Sequence, residues 1–177
     1  GATPAVSQAV AAGRLASIFV GPPQGLFRLY EAPPDRVGIG YENGMRFHGV
    51  ERVDGVGVPV YHEGVPLTVR LWWSVDAPPP LDYSIGVYVV NEDGATVVQV
   101  DNPPAVIDAP NATSQWQPGQ LYVGAQSLQL PYPLQTGHYR LMMAVYWYGD
   151  QKRLDAPGVD DQGLLPLLDF DVVAWGH

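Results

Sequence analysis

The sequence predicts an all-β fold: a two-sheet antiparallel β-sandwich, jelly-roll-like, of about eight strands, preceded by an N-terminal extension. Three observations predict it. Gly and Pro, 20 and 18 of 177 residues, are together well above the roughly 12% of an average chain, which means many turns and short elements. Apolar residues recur with period two in several short segments at regular spacing. No helix-period segment stands between those strands, which argues against the strand–helix–strand units of a parallel sheet.

Residues 1–37 read as the extension. Ala5, Ala9, Ala11, Ala12 and Ala16 with Val10, Leu15 and Ile18 suit a short helix from about Ser7 to Phe19, with Ser7 as N-cap. A flexible lead-in is the alternative. Pro22-Pro23 and Pro33-Pro34 break whatever precedes them. Gly1 without an initiator Met suggests a piece of a longer protein.

The sandwich is read over residues 38–177. Met45 to Val53 is a first strand through Phe47, Val50 and Val53, and Asp54-Gly55 with Gly57 turns the chain. The clearest alternation follows: Leu67, Val69, Leu71, Trp73 and Val75 on one side, Thr68, Arg70, Trp72 and Ser74 on the other. Pro78-Pro79-Pro80 stops it. Tyr83, Ile85, Val87 and Val89 form the next strand. Glu92-Asp93-Gly94 has hairpin-turn chemistry, and Thr96 to Val100 returns as the partner. A polar loop, Asp101 to Gly119, leads to strands at Gln120–Leu130 and Tyr139–Trp147. Gly149-Asp150 turns towards Arg153-Leu154, and Leu167 to Val173 closes the fold.

The net charge of −9 and a single lysine, Lys152, exclude nucleic-acid binding, because phosphate contacts need clustered cations. Without cysteine there is no disulfide, thiol chemistry or Cys-ligated metal. No apolar run reaches the ~18 residues of a spanning helix, so no membrane insertion is expected of this segment. His48, His62, His138 and His177 stand at no metal-binding spacing and read as surface or strand-end residues. No nucleophile elbow, phosphate loop or dinucleotide fingerprint is present.

Asp93, Asp101, Asp108, Asp155, Asp160, Asp161, Asp169 and Asp171 supply carboxylates, yet nothing selects the pair a glycosidase needs; most suit turns. No cofactor is expected. A structural calcium at Asp101-Asn102 or Asp160-Asp161 would find hard oxygen ligands there. Asn111-Ala112-Thr113 fits the N-glycosylation sequon, and Trp116 in its polar loop reads as a plug at one end of the sandwich.

The aromatics offer the main binding candidate. Alternation turns Trp73 and Trp147 towards the core. Arg70, Trp72, Tyr88, Tyr146 and Tyr148 then fall on the opposite faces of their strands. If those strands are neighbours, the five make an aromatic patch on an outer sheet face, able to stack on sugar rings or a partner protein. The alternative is that a loop or the N-terminal segment covers them.

Several short motifs carry a family resemblance: Leu71-Trp72-Trp73, Asp82-Tyr83, Asp93-Gly94, Gln99-Val100-Asp101-Asn102-Pro103, Thr113-Ser114-Gln115-Trp116-Gln117-Pro118-Gly119, and Gly137-His138-Tyr139-Arg140-Leu141 with Tyr146. From about Tyr41 to Val173 the chain resembles the C-terminal extracytoplasmic β-sandwich of bacterial multi-pass membrane glycosyltransferases of the dolichyl-phosphate-mannose mannosyltransferase type, found in Chloroflexi and related bacteria. The family often has His where Tyr88 stands and an acidic turn residue where Trp147 stands. Its catalytic residues lie in a membrane part absent here. The resemblance therefore implies an extracytoplasmic, non-catalytic accessory domain attached to a membrane protein, its partner a glycan or acceptor polypeptide. A purely structural or protein-interaction sandwich and a polysaccharide hydrolase are the other two expectations.

Overall fold

The computed structural model describes residues 15–20, 27–53, 60–62, 64–104, 106, 109 and 111–173, with side chains from 32 onward. The chain divides into two units, Gly1–Arg36 and Val37–His177. In the first, β1 (Leu15–Val20) and β2 (Phe27–Glu31) pair as an antiparallel hairpin, Val20 opposite Phe27. The helix expected over Ser7–Phe19 is therefore not formed from Leu15 onward; its earlier part lies outside the described residues. Alanine's helix preference amounts to only tenths of a kcal/mol per residue, and a lone helix of that length is marginal in water. Ile18, Phe19 and Val20 are strand-favouring residue types, and pairing with a second strand satisfies their backbone.

The second unit contains β3 (Ile39–Gly40), β4 (Met45–Arg52), β5 (Val60–His62), β6 (Pro66–Val75), β7 (Tyr83–Asn91), β8 (Thr96–Asn102), β9 (Tyr122–Gln129), β10 (Gly137–Trp147) and β11 (Leu165–Val173). The strands expected from alternation are present, with ends shifted by a few residues. Both β3 and β5 are too short to show a period. The turn read at Asp54-Gly55 and Gly57, like Asp108 and His177, lies outside the described residues.

Two sheets face each other. One has the order β3-β4-β6-β9, the other β5-β11-β10-β7-β8. Pairing is antiparallel except where the short β5 runs parallel to β11. The chain crosses between sheets from β4 to β5 and back to β6, then from β6 to β7, from β8 to β9 and from β9 to β10. That is the Greek-key order of an immunoglobulin-type sandwich, with β7, β10 and β11 in the places of its C, F and G strands. The two-sheet β-sandwich is as the sequence predicts. Strand periodicity is blind to which connections change sheets.

The core lies between the sheets. Leu67, Val69, Leu71 and Trp73 of β6 meet Ile85, Val87 and Val89 of β7 and Leu141, Met143 and Val145 of β10, all buried. Trp73 sits in this core as alternation requires, 4.9 Å from Phe47 between ring centres; Trp147 is half-buried at its margin. Trp116 is fully buried and stacks on Tyr122, ring centres 4.3 Å apart, so it plugs one end. Beside it, the buried Thr113 hydroxyl accepts from the Tyr83 amide (2.8 Å) and donates to the Leu81 carbonyl (3.1 Å), tying the Trp116 loop to the start of β7.

Two buried polar groups give contrasting expectations. Thr113→Val strands the buried Tyr83 N–H and should cost about 1–3 kcal/mol, read as a lower urea midpoint. The Tyr41 hydroxyl is buried with no hydrogen-bond partner among the described residues. Tyr41→Phe removes a desolvated group that bonds to nothing there, so the midpoint should stay level or rise.

Candidate functional site

The five residues expected to form one aromatic face are divided between opposite sides of the sandwich. Arg70 and Trp72 lie on β6, in the four-stranded sheet; Tyr88 on β7 and Tyr146 on β10 lie in the five-stranded sheet. Tyr148 follows the end of β10 in a turn and is 67% exposed. Arg70 is exposed, but Trp72 is buried, its indole N–H donating to Glu51 Oε2 at 2.9 Å. A single patch of all five therefore does not form. Alternation fixes the side of its own strand that a residue occupies, not the sheet to which the strand belongs.

Tyr88 and Tyr146 do come together, on the outer face of the five-stranded sheet. There β7 is flanked by β8 and β10. Tyr88 lies opposite Gln99 and Met142, Gly86 opposite Asp101 and Ala144, and Ser84 opposite Tyr146. Both tyrosine hydroxyls donate to the same carboxylate oxygen, Asp101 Oδ1, each at 3.1 Å. The other oxygen, Oδ2, accepts from Gln99 Nε2 at 2.9 Å. Glycine is required beneath this cluster: a Cβ at position 86 would stand 2.4 Å from the Tyr88 hydroxyl and 2.5 Å from Asp101 Oδ1.

The connection from β10 to β11 folds over the same face. Its start is held to β10 by the Gln151 amide on the Trp147 carbonyl and the Leu154 amide on the Val145 carbonyl, each 2.8 Å. Arg153 pairs with Tyr146 as an isolated bridge, and its guanidinium carbon lies 5.2 Å from the centre of the Tyr88 ring. Farther on, Leu164 joins Tyr88, Val90, Met142 and Ala144 in a small outer cluster. Between strand floor and loop wall is an open depression of about 280 Å³ lined by Tyr88, Gln99, Asp101, Tyr146, Gln151 and Arg153.

This geometry selects hydrogen bonding over stacking. Tyr88 is 6% exposed, and Arg153 lies over its ring, so its face is not offered to a sugar. The depression presents hydroxyl, carboxamide, carboxylate and guanidinium groups, an arrangement suited to a polar, hydroxyl-bearing ligand. Burial, reinforced by the Asp101 charge, pushes the Tyr146 hydroxyl up to about 12. Burial also raises Tyr88, with Asp101 adding to the shift. Both tyrosines stay neutral donors at ordinary pH.

Other candidates find other work. His48 is buried and bonded to the Ser74 hydroxyl at 2.7 Å. The His62 ring meets the Val173 carbonyl at the strand end. His138 faces Asp171 and Asp169 across the β10–β11 ladder, and the Asp171 hydrogen bond raises its basicity. Of the loops considered for calcium, Asp101 is engaged by the tyrosines and Asp160 Oδ1 accepts from the Gln162 and Leu164 amides. Among the described residues no three His, Asp or Glu side chains converge as a metal ion needs. In the sequon, Asn111 is exposed while Thr113 is the buried tie described above.

No protein-family model matches the chain, and no curated protein matches it. Solved structures with a similar β-sandwich include the C-terminal domain of Wzt, 13% identical over 80% of this chain and 82% of that one, TM-score 0.46. A Niemann-Pick type C2 protein from the Japanese carpenter ant is 9% identical over 76% and 96%, TM-score 0.45. A CARDB domain from Pyrococcus furiosus, in complex with di-metal ions, is 14% identical over 75% and 97%, TM-score 0.40. At this distance they say nothing of what this chain binds.

Sequence reading named Tyr88 and Tyr146 but missed Gln99, Gln151 and Arg153 as site residues, and weighed Asp101 only as a carboxylate or calcium ligand. Part of the signal was present. Asp93-Gly94 marks the β7–β8 hairpin, and period two puts Gln99 and Asp101 on one face of β8. Gln151 and Arg153 come from a loop, where no period operates. The Tyr146 environment makes a testable statement. Above the ordinary tyrosine value of 10 and up to about 12, the folded chain keeps a proton that the unfolded chain loses. Its contribution to stability is full below pH 10 and falls as pH rises through that window. Urea midpoints from pH 9 to 12 should show the wild type losing its advantage over Tyr146→Phe.

Proposed function

We propose that this chain is a non-catalytic recognition domain that binds a glycan in the Tyr88–Asp101–Tyr146 depression. The observation that carries this reading is the convergence of two tyrosine hydroxyls, from β7 and β10, on one carboxylate at the floor of an open, polar depression. With their hydrogens given to Asp101, the two hydroxyl oxygens accept, the guanidinium donates and the side-chain amides do both, which is what a polyol needs. The depression pairs one anion, Asp101, with one cation, Arg153, and so favours an uncharged ligand. A polysaccharide hydrolase would need two carboxylates flanking a cleft; Asp101 is the one carboxylate among the described residues that line this depression.

The resemblance set out above adds a context: an extracytoplasmic accessory domain of a membrane glycosyltransferase, attached to a membrane protein. Among the described residues no helix is long and apolar enough to cross a membrane. A structural or protein-interaction sandwich is the second reading, favoured by the burial of Trp72 and Tyr88.

Glycan-array screening followed by calorimetric titration tests the proposal. A neutral glycan should bind, and Asp101→Asn or Gly86→Ala should weaken it about tenfold or more, the scale of a lost charge-assisted hydrogen bond. Absence of any glycan ligand, or full binding by both folded variants, would favour the second reading.

A further inference from the structure

The outer face of the five-stranded sheet carries a second depression, of about 290 Å³, beside the first. Its floor includes Val90 and Met142, and its rim Gly94 of the β7–β8 turn, Arg140, Asp161 and Gln162. Arg140 lies opposite Val90 across the β7–β10 ladder. Its Nε is held by Asp169 at 2.9 Å, and its two terminal nitrogens make no hydrogen bond among the described residues.

The two depressions are neighbours by construction. Tyr88, which lines the first, and Val90, which lines the second, are two residues apart on one face of β7, hence about 7 Å apart. That is on the scale of one pyranose unit. Contacts of the β10–β11 connection link the linings of the two depressions: Leu164 clusters with Tyr88, Val90 and Met142, and Arg153 Nη1 donates to the Gln162 carbonyl at 2.7 Å. Each depression alone falls short of the roughly 300–1,000 Å³ typical of small-molecule sites. Taken together they fall within it.

We infer that the two depressions are adjacent subsites for one linear, uncharged oligosaccharide of at least two units, laid along β7. The inference rests on the glycan reading of the first depression. It assigns to Arg140 and Asp161 the hydroxyls of a second sugar, and it makes chain length, rather than the identity of one sugar, the main determinant of affinity.

The test is an amide NMR titration of the full chain with glucose, galactose and mannose, and with cellotriose, galactotriose and mannotriose. The expected result is that a monosaccharide shifts Gln99, Asp101 and Gln151 alone. The matching trisaccharide should also shift Gly94, Asp161 and Gln162 and bind at least about tenfold more tightly. Arg140→Ala and Asp161→Ala should each reduce that gain while leaving monosaccharide affinity unchanged. If mono- and trisaccharide bind alike, with shifts confined to the first group, the second subsite is overturned and the glycan reading stands. If no sugar shifts either group, both fall.

Discussion

Strand β7 is the constraint on which the rest of the structure depends. From Tyr83 to Val90 every residue is buried, on both faces. Its inner face meets the shared core, as any sandwich strand does. Its outer face needs separate cover, because Tyr88 and Val90 would otherwise leave apolar surface in water. The β10–β11 connection supplies that cover through Leu164 and Arg153. Having been drawn across the sheet for that purpose, the loop also walls a depression. Site and stability thus share a cause: a central strand apolar on two sides, and a loop long enough to cross it.

The fold was legible in the sequence to the extent that it is written in period two. Leu67 to Val75 declares its buried face without ambiguity, and β6 carries the core that this implies. The Asp93-Gly94 turn likewise announces one hairpin. Illegible were the strand neighbours and the sheet crossings. They depend on which of several similar apolar faces pack together, a tertiary choice with no local signature. That is why Trp72 and Tyr88, each correctly placed on the non-core side of its own strand, end on opposite sides of the molecule. The N-terminal hairpin exposes the converse weakness. Alanine-rich composition speaks for a helix too softly to outweigh a strand partner.

The candidate site was half legible for the same reason. Tyr88, Gln99, Asp101 and Tyr146 are strand residues whose facing follows from alternation once the order β10-β7-β8 is known. Gly86 is the subtle member. A glycine inside a strand weakens it unless something must approach closely, and here the Tyr88 hydroxyl and the Asp101 carboxylate occupy the space a side chain would fill. A strand glycine flanked by Ile85 and Val87 would have been a fair sign of such an approach. Gln151 and Arg153 had no comparable sign, since their positions come from turn geometry, including a left-handed backbone at Gln151 with φ of 56°.

The division of labour between floor and wall has an evolutionary consequence. The floor is made by three strands whose inner faces also build the core, so its residues change only within narrow packing limits. Much of the wall belongs to one surface connection tied down at Gln151, Leu154 and Leu164. Between those ties the loop can lengthen, shorten or exchange residues without disturbing a strand register. Descendants of such a chain would diversify their ligands through this loop while the Tyr–Asp–Tyr floor persisted, much as a common socket accepts different collars.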